Sequence, residues 1–247
     1  MNKMNKTDKS ASGITAEITD DILKHSNPEF RKVQARFFKE EIPIRGTRSE
    51  DVKKITQKHW KNIKNLGKEE IIAICEELYK TGYLEESLAA PGFLSKLQKE
   101  YTAEDIRRFE DLIDRYIKNW AACDGFCTRV MGDYLEKYPE NLPVLKEWAV
   151  SENLWLRRAA AVSLIKPARK GKYLAEAFEI SGILLRDGED MVQKGYGWLL
   201  KEESRKNTRE VLDYVVKNKK EMPRTALRYA IELMPKAMKD EAMKKDF

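Results

Sequence analysis

The segment Asn119-Trp120-Ala121-Ala122-Cys123-Asp124 sets an indole and a carboxylate four residues apart. On a helix those two positions share a face. Aspartate is a mediocre helix former, so a mid-helix position is costly unless its side chain has a task. A carboxylate beside an aromatic face suits a positively charged, flat or sugar-like group. The plain alternative, a core tryptophan next to a solvated aspartate, stays open from this pair alone. Two later segments add to it. In Leu156-Arg157-Arg158-Ala159-Ala160 one arginine must face an apolar, alanine-rich environment, as a structural or a functional group. In Val192-Gln193-Lys194-Gly195-Tyr196-Gly197-Trp198, a tryptophan follows two glycines inside a helical pattern. Each glycine costs roughly 1 kcal/mol against alanine there, which close packing or room for a bound partner would offset. Trp60, Trp148, Trp155 and Trp198 also have core filling as a simple explanation.

Other chemistries find less support. Cys123 and Cys127 share a helix face, but only Cys75, His25 and His59 remain as metal partners and no second close pair exists. The expectation is therefore no metal and no cofactor, with the thiols as buried small hydrophobes. No serine or cysteine sits in a recognisable nucleophile setting.

The elements that must position these residues read as helices throughout. In 247 residues glycine (12) and proline (8) are scarce, 36% of the chain is charged, and no run alternates as a strand would. Amphipathic segments are expected at 15–24, 28–40, 49–65, 69–80, 84–98, 103–117, 119–137, 141–149, 154–165, 171–185, 189–203, 207–218 and 223–234. Thr47-Arg48-Ser49-Glu50 and Thr102-Ala103-Glu104-Asp105 carry helix-start signals, and Pro139, Pro143 and Pro223 mark boundaries. Helix pairs recurring every 35–40 residues or so predict an all-α fold of HEAT-like repeats forming a curved α-solenoid. Residues 1–14 are expected to be a disordered leader and 15–247 a single domain.

No apolar run approaches the roughly 18 residues that cross a bilayer, no secretory segment is visible, and three cysteines suit a reducing compartment. A cytoplasmic monomer is expected. The net charge of +6 and a pI near 9.0 suit a polyanionic partner without requiring one. A concave solenoid face lined by basic residues would cradle it; the candidates are Arg45, Arg48, Arg157, Arg158, Lys194, Lys201, Arg205, Arg224 and Arg228, with Ser49 at a helix start. Each, taken singly, also reads as a solvated helix-face charge.

Four ordered pieces carry a resemblance: the turn from Gly46 to Glu50, NWAACD, NLWLRRAA and VQKGYGWLLKE. Together, over about Phe37 to Ala230, they resemble the DNA alkylation repair enzymes of the AlkD-like group, DNA glycosylases built from HEAT-like repeats. The resemblance implies active-site roles for Trp120, Asp124, Arg158 and Trp198. It aligns Phe37 with a tyrosine of some active members, which keeps an aromatic wall and loses a hydroxyl. It further implies a damaged nucleotide held through its backbone, with no enclosing base pocket. The implied reaction is hydrolysis of the N-glycosidic bond of cationic N3- or N7-alkylated purines in double-stranded DNA. Asp124 would stabilise an oxocarbenium-like sugar and orient water, the tryptophans would hold the deoxyribose, and Arg158 would grip a flanking phosphate. A charge pair at about 4 Å is worth about 4 kcal/mol at an effective dielectric of about 20, against roughly 0.5–2 kcal/mol for each cation–π contact, so Asp124 should dominate. A non-catalytic DNA-structure binder of the same fold and a protein-interaction scaffold are the competing readings. A scaffold has no use for Asp124 with both tryptophans.

Overall fold

A computed structural model describes residues 10–244. Among them every regular element is helical and no β-strand forms. The chain divides into two compact units, residues 1–100 and 101–247. None of the described helices is long and apolar enough to cross a membrane.

In the first unit, α1 (Ala11–Lys24) begins four residues earlier than the sequence pattern indicated, because the Ser10 hydroxyl accepts from the Gly13 N–H at 3.3 Å. The expected leader therefore gives way to helix at Ala11, and its first nine residues lie outside those described. Asn27 caps α2 (Pro28–Ala35), with proline at its first position. That helix ends five residues short of residue 40. The segment after it turns at Gly46, whose φ of +92° suits only glycine; a Cβ there would meet Asn27 O at 2.5 Å. α3 (Ser49–Ile63), α4 (Lys68–Lys80) and α5 (Leu84–Leu94) follow. They pack with α1 around Ile18, Ile22, Ile71, Ile74, Leu78 and Phe93. Two buried carboxylates fasten the returning strap. Glu85 accepts the Arg45, Gly46 and Thr47 N–H groups, and Glu86 accepts the Arg45 guanidinium and the Thr19 hydroxyl.

The second unit opens with α6 (Asp105–Tyr116). α7 (Trp120–Phe126) runs through a π-helical segment, Cys127–Met131, into α8 (Gly132–Lys137). Then come α9 (Val144–Ala149), α10 (Leu154–Val162), α11 (Ile165–Ala168), α12 (Leu174–Ile183), α13 (Asp190–Glu203), α14 (Thr208–Asn218), α15 (Arg224–Ala230) and α16 (Lys236–Met243). The sequence pattern missed α11 and α16, both short. α10 packs on α6, α7, α9, α12 and α13, while α13 packs on α10, α11, α12 and α15. Ala159, Ala160 and Ala161 are fully buried, and their small side chains let these neighbours come close.

The repeat is written in side-chain links as well. Asp133–Lys166, Asp124–Arg158, Arg169–Glu202, Arg186–Glu221 and Lys201–Glu232 join residues 33, 34, 33, 35 and 31 positions apart. Separations this similar are what equivalent positions in successive helical repeats produce, and they are slightly shorter than the 35–40 residues expected from the helix pattern. The fold is all-α and built of HEAT-like repeats.

Candidate functional site

The Asn119 side chain accepts from the Ala122 N–H at 2.9 Å and starts α7 at Trp120. One turn later, on the same face, lies Asp124. Behind it the helix widens into its π-helical segment, a form enriched at functional sites. Asn153 caps α10 in the same way, through the Trp155 N–H at 2.9 Å, and this sets Arg158 in the second turn.

Arg158 and Asp124 meet in a two-point fork. Arg158 Nε donates to Oδ1 and Nη2 to Oδ2, each at 2.9 Å. Arg158 Nη1 donates to the Met191 carbonyl oxygen at the start of α13, so the guanidinium ties three helices together. The arginine side chain is only 5% exposed, whereas the aspartate is 16% exposed. The arginine is therefore the more deeply buried partner, and the aspartate the less buried one. Burial pushes the Asp124 carboxyl above its ordinary value, opposed by the Arg158 charge and hydrogen bonds. Burial also works against the Arg158 charge, but attraction to Asp124 outweighs it and the guanidinium stays protonated. Each carboxylate oxygen keeps a lone pair beyond the one the fork uses.

The two glycines of α13 have separate reasons. A Cβ on Gly195 would lie 3.3 Å from Arg158 Cγ and 3.6 Å from Nη1, so its absence gives the guanidinium room. A Cβ on Gly197 would lie 2.7 Å from Tyr229 Cβ and 2.8 Å from Ala226 O, so its absence lets α15 close on α13. Trp198 stands one turn beyond Gly195 and is partly exposed, as Trp120 is. Its indole N–H donates to Glu202 Oε1 at 3.0 Å. Trp148 and Trp155 are buried in the core.

Glu202 was not singled out from the sequence, although Trp198 and Glu202 repeat the four-residue spacing of Trp120 and Asp124. It is buried and also receives Arg169 Nε at 3.0 Å and Arg205 Nε at 2.5 Å, both on Oε2. Burial alone would raise its carboxyl, but the bonds from Arg169, Arg205 and Trp198 bring it down to about 2.

The basic candidates separate into paired and unpaired groups. Arg157 donates to Asp187 and to the Ser151 and Glu152 carbonyls, while Lys194 pairs with Asp190 and Lys201 with Glu232. Arg205 is tied to Glu202. Arg224 contacts Met243 Sδ, and Arg228 is exposed with no acidic partner among the described residues. In the first unit, Arg48 is exposed over the Phe30 ring at 4.8 Å, Ser49 opens α3, and Phe37 is 69% exposed. Arg45 is tied to Glu86. Cys75, Cys123 and Cys127 are buried free thiols, and no group of three metal-ligating side chains comes together among the described residues.

Comparison with known proteins gives a consistent result. A family profile described as DNA alkylation repair enzyme matches residues 18–234. No curated protein matches the sequence. Among solved structures, a "Predicted DNA alkylation repair enzyme" of Enterococcus faecalis superposes with a TM-score of 0.76 at 18% identity, covering 86% of this chain and 98% of that one. AlkD2 of Streptococcus mutans gives 0.62 at 19% identity, covering 91% and 99%. The alkylpurine DNA glycosylase AlkC of Pseudomonas fluorescens, bound to DNA containing an abasic site analogue, gives 0.54 at 16% identity, covering 94% and 64%. At such identities the likeness is one of fold.

Proposed function

The chain belongs to the DNA alkylation repair enzyme family, and from that premise we propose that it is a monofunctional DNA glycosylase acting on cationic N3- and N7-alkylated purines. The observation that carries the reading is the Asp124–Arg158 fork, with its arginine buried and its carboxylate the more accessible partner.

Alkylation at N3 or N7 places positive charge on the purine and makes it a good leaving group. The C1′–N bond breaks, its electron pair leaves with the base, and the sugar becomes oxocarbenium-like. Asp124, fixed by two hydrogen bonds and short of solvent, faces that charge without reorganising. A water attacks C1′, and its proton passes to the carboxylate and then to solvent. Trp120 and Trp198 flank the carboxylate's helix turn and Gly195's, respectively, as the sugar-facing aromatic walls. Arg158, expected from the resemblance to hold a phosphate, already spends Nε, Nη1 and Nη2 on Asp124 and Met191. In this reading it positions the carboxylate.

The test is single-turnover release of 7-methylguanine from a methylated duplex, corrected for spontaneous loss. Asp124→Asn should bind DNA as the parent does and release base about 10²–10³-fold more slowly. Equal rates would remove Asp124 from catalysis. Release no faster than background by the parent protein would favour a non-catalytic DNA-structure binder. Borohydride should trap nothing, because water rather than a lysine is the nucleophile.

A further inference from the structure

Glu202 holds more positive charge than it needs. One arginine would neutralise its carboxylate, yet two guanidiniums, Arg169 at the end of α11 and Arg205 just past α13, both deliver Nε to the same oxygen. Two guanidiniums on one carboxylate leave a net positive charge, which a further anion would neutralise. The two arginines are 49% and 48% exposed, and neither has another partner among the described residues. Anchoring through Nε leaves Arg169 Nη1 and both terminal nitrogens of Arg205 available, the donor groups that suit a phosphate oxygen. A third basic residue, Lys206, follows Arg205 in sequence. The Lys206 stem lies against Gly171, where a Cβ would meet Lys206 Cβ at 3.3 Å, and Lys206 is exposed with no acidic partner among the described residues. Two guanidiniums thus meet on one buried carboxylate, with Lys206 next to Arg205 in sequence and against Gly171 in space.

We propose that Arg169, Arg205 and Lys206 form a binding site for a phosphodiester of the nucleic-acid backbone, pre-set by the buried carboxylate of Glu202. Because Glu202 also accepts the Trp198 indole N–H, it fixes the position of a gripped phosphate relative to the aromatic wall of the candidate active site. Arg205 was a candidate from sequence; Arg169 and Lys206 were not, and neither was their convergence. The site rests on the reading that this protein binds DNA but not on the catalytic step at Asp124.

The experiment is equilibrium binding of the full chain to an undamaged, dye-labelled duplex over a range of salt concentrations. For each phosphate that the protein ceases to neutralise, the dependence of log affinity on log salt becomes shallower by about 1. Arg169→Ala/Arg205→Ala should bind about tenfold more weakly near physiological salt, with a slope shallower by about 1–2. Affinity and slope equal to the parent's would overturn the proposal. Since the double variant leaves Glu202 without its cations, Lys206→Glu serves as a second probe that keeps both arginines in place; it too should bind more weakly with a shallower slope, and parent-like binding by it counts against the site. Arg186→Ala removes an exposed arginine paired with Glu221 and should bind as the parent does; an equal loss there would mean a general charge effect and would overturn the proposal. The catalytic reading fails separately: Asp124→Asn excising at the parent rate, while the double variant still loses slope, would sink that reading and leave this site standing.

Discussion

Each of the two units contains a buried arginine–carboxylate pair, and the two are built the opposite way round. In the first, Glu86 is fully buried and Arg45 is 17% exposed, whereas in the second Arg158 is 5% exposed and Asp124 16%. Arg45 sends Nε and Nη2 to a single oxygen of Glu86, at 3.1 and 3.0 Å, and leaves the other oxygen without a partner. Arg158 matches its two donors to the two oxygens of Asp124. Burying the acid turns its charge inward, where the Arg45 guanidinium, itself 3.3 Å over the Tyr83 ring, seals it. In the second pair the base is the deeper member, and the acid, fixed by both its oxygens, keeps partial access to water. An arginine and a carboxylate are joined in both units, and the two pairs differ in which partner lies closer to water.

The largest effect that sharpens this contrast is expected at Arg45. Arg45→Ala strips the counter-charge from a carboxylate that cannot reach solvent and should destabilise the protein by about 3–5 kcal/mol in urea unfolding at neutral pH. Burial already raises the Glu86 carboxyl, against the pull of Arg45. The cost should therefore shrink as the pH falls and Glu86 takes up a proton. A loss below about 1 kcal/mol at neutral pH would erase the distinction between the pairs.

Arg158→Ala is expected to cost less stability than Arg45→Ala and to act mainly on rate, because Asp124 is less buried than Glu86. Base release should fall about 10–100-fold, equivalent to about 1.4–2.7 kcal/mol of transition-state stabilisation. Arg158→Lys should recover little, since an ammonium cannot supply the two-point fork. Parent-like excision by Arg158→Ala would break the assignment of Arg158 as the positioning group.

Titration also separates the units. In the first unit, hydrogen bonds from Lys58, Lys24 and His59 hold the Asp21 carboxyl far below its usual range. A depressed carboxylate stabilises above its unfolded value, near 3.8, and that contribution is lost as the pH falls below it. Asp21→Asn should therefore flatten the acid limb of the stability profile. In the second unit, burial pushes Glu203 up from 4.5 to about 7, and its Oε1 has no partner. Here the native state binds the extra proton, so stability is lost as the pH rises from 4.5 to about 7, by about 3 kcal/mol. Glu203→Gln should remove that decline, and a decline that survives the substitution would assign it to another group.

The smallest effect is expected at Gly195. Gly195→Ala gains up to about 1 kcal/mol in helix propensity. It also brings a methyl group to 3.3 Å from Arg158 Cγ, so the fork must shift by a few tenths of an ångström. Thermal stability should move little while base release falls a few-fold. Unchanged release would show that the fork tolerates displacement.

Much of the helical layout was legible because apolar periodicity and caps act within a few residues. Asn119 and Asn153, for example, start α7 and α10 where the pattern placed them. The exceptions have local causes. Ser10 began α1 early, α2 stopped before the turn at Gly46, and the four-residue α11 was too short to show a period. Of the candidate site, Trp120, Asp124, Arg158 and Trp198 were legible as residue types in order, and Glu202 was legible in principle from its spacing to Trp198.

What the sequence by itself determined is the class of the fold and the set of residues with chemistry to offer. Hydrophobic periodicity and residue identity are local properties, and the side-chain links at 31–35 residues follow from stacking one repeat on the next. Which charges meet was decided only by the tertiary structure. Nothing in the residues near Arg157 and Arg158 tells that the first turns to Asp187 and the second to Asp124, or that Glu202 gathers two arginines and an indole. Those choices depend on the faces that α7, α10 and α13 turn toward one another, and on the room left at Gly195. Electrostatic partners are chosen across gaps of a few ångströms between helices distant in sequence, where burial sets both the strength of each pair and which member remains in reach of a substrate.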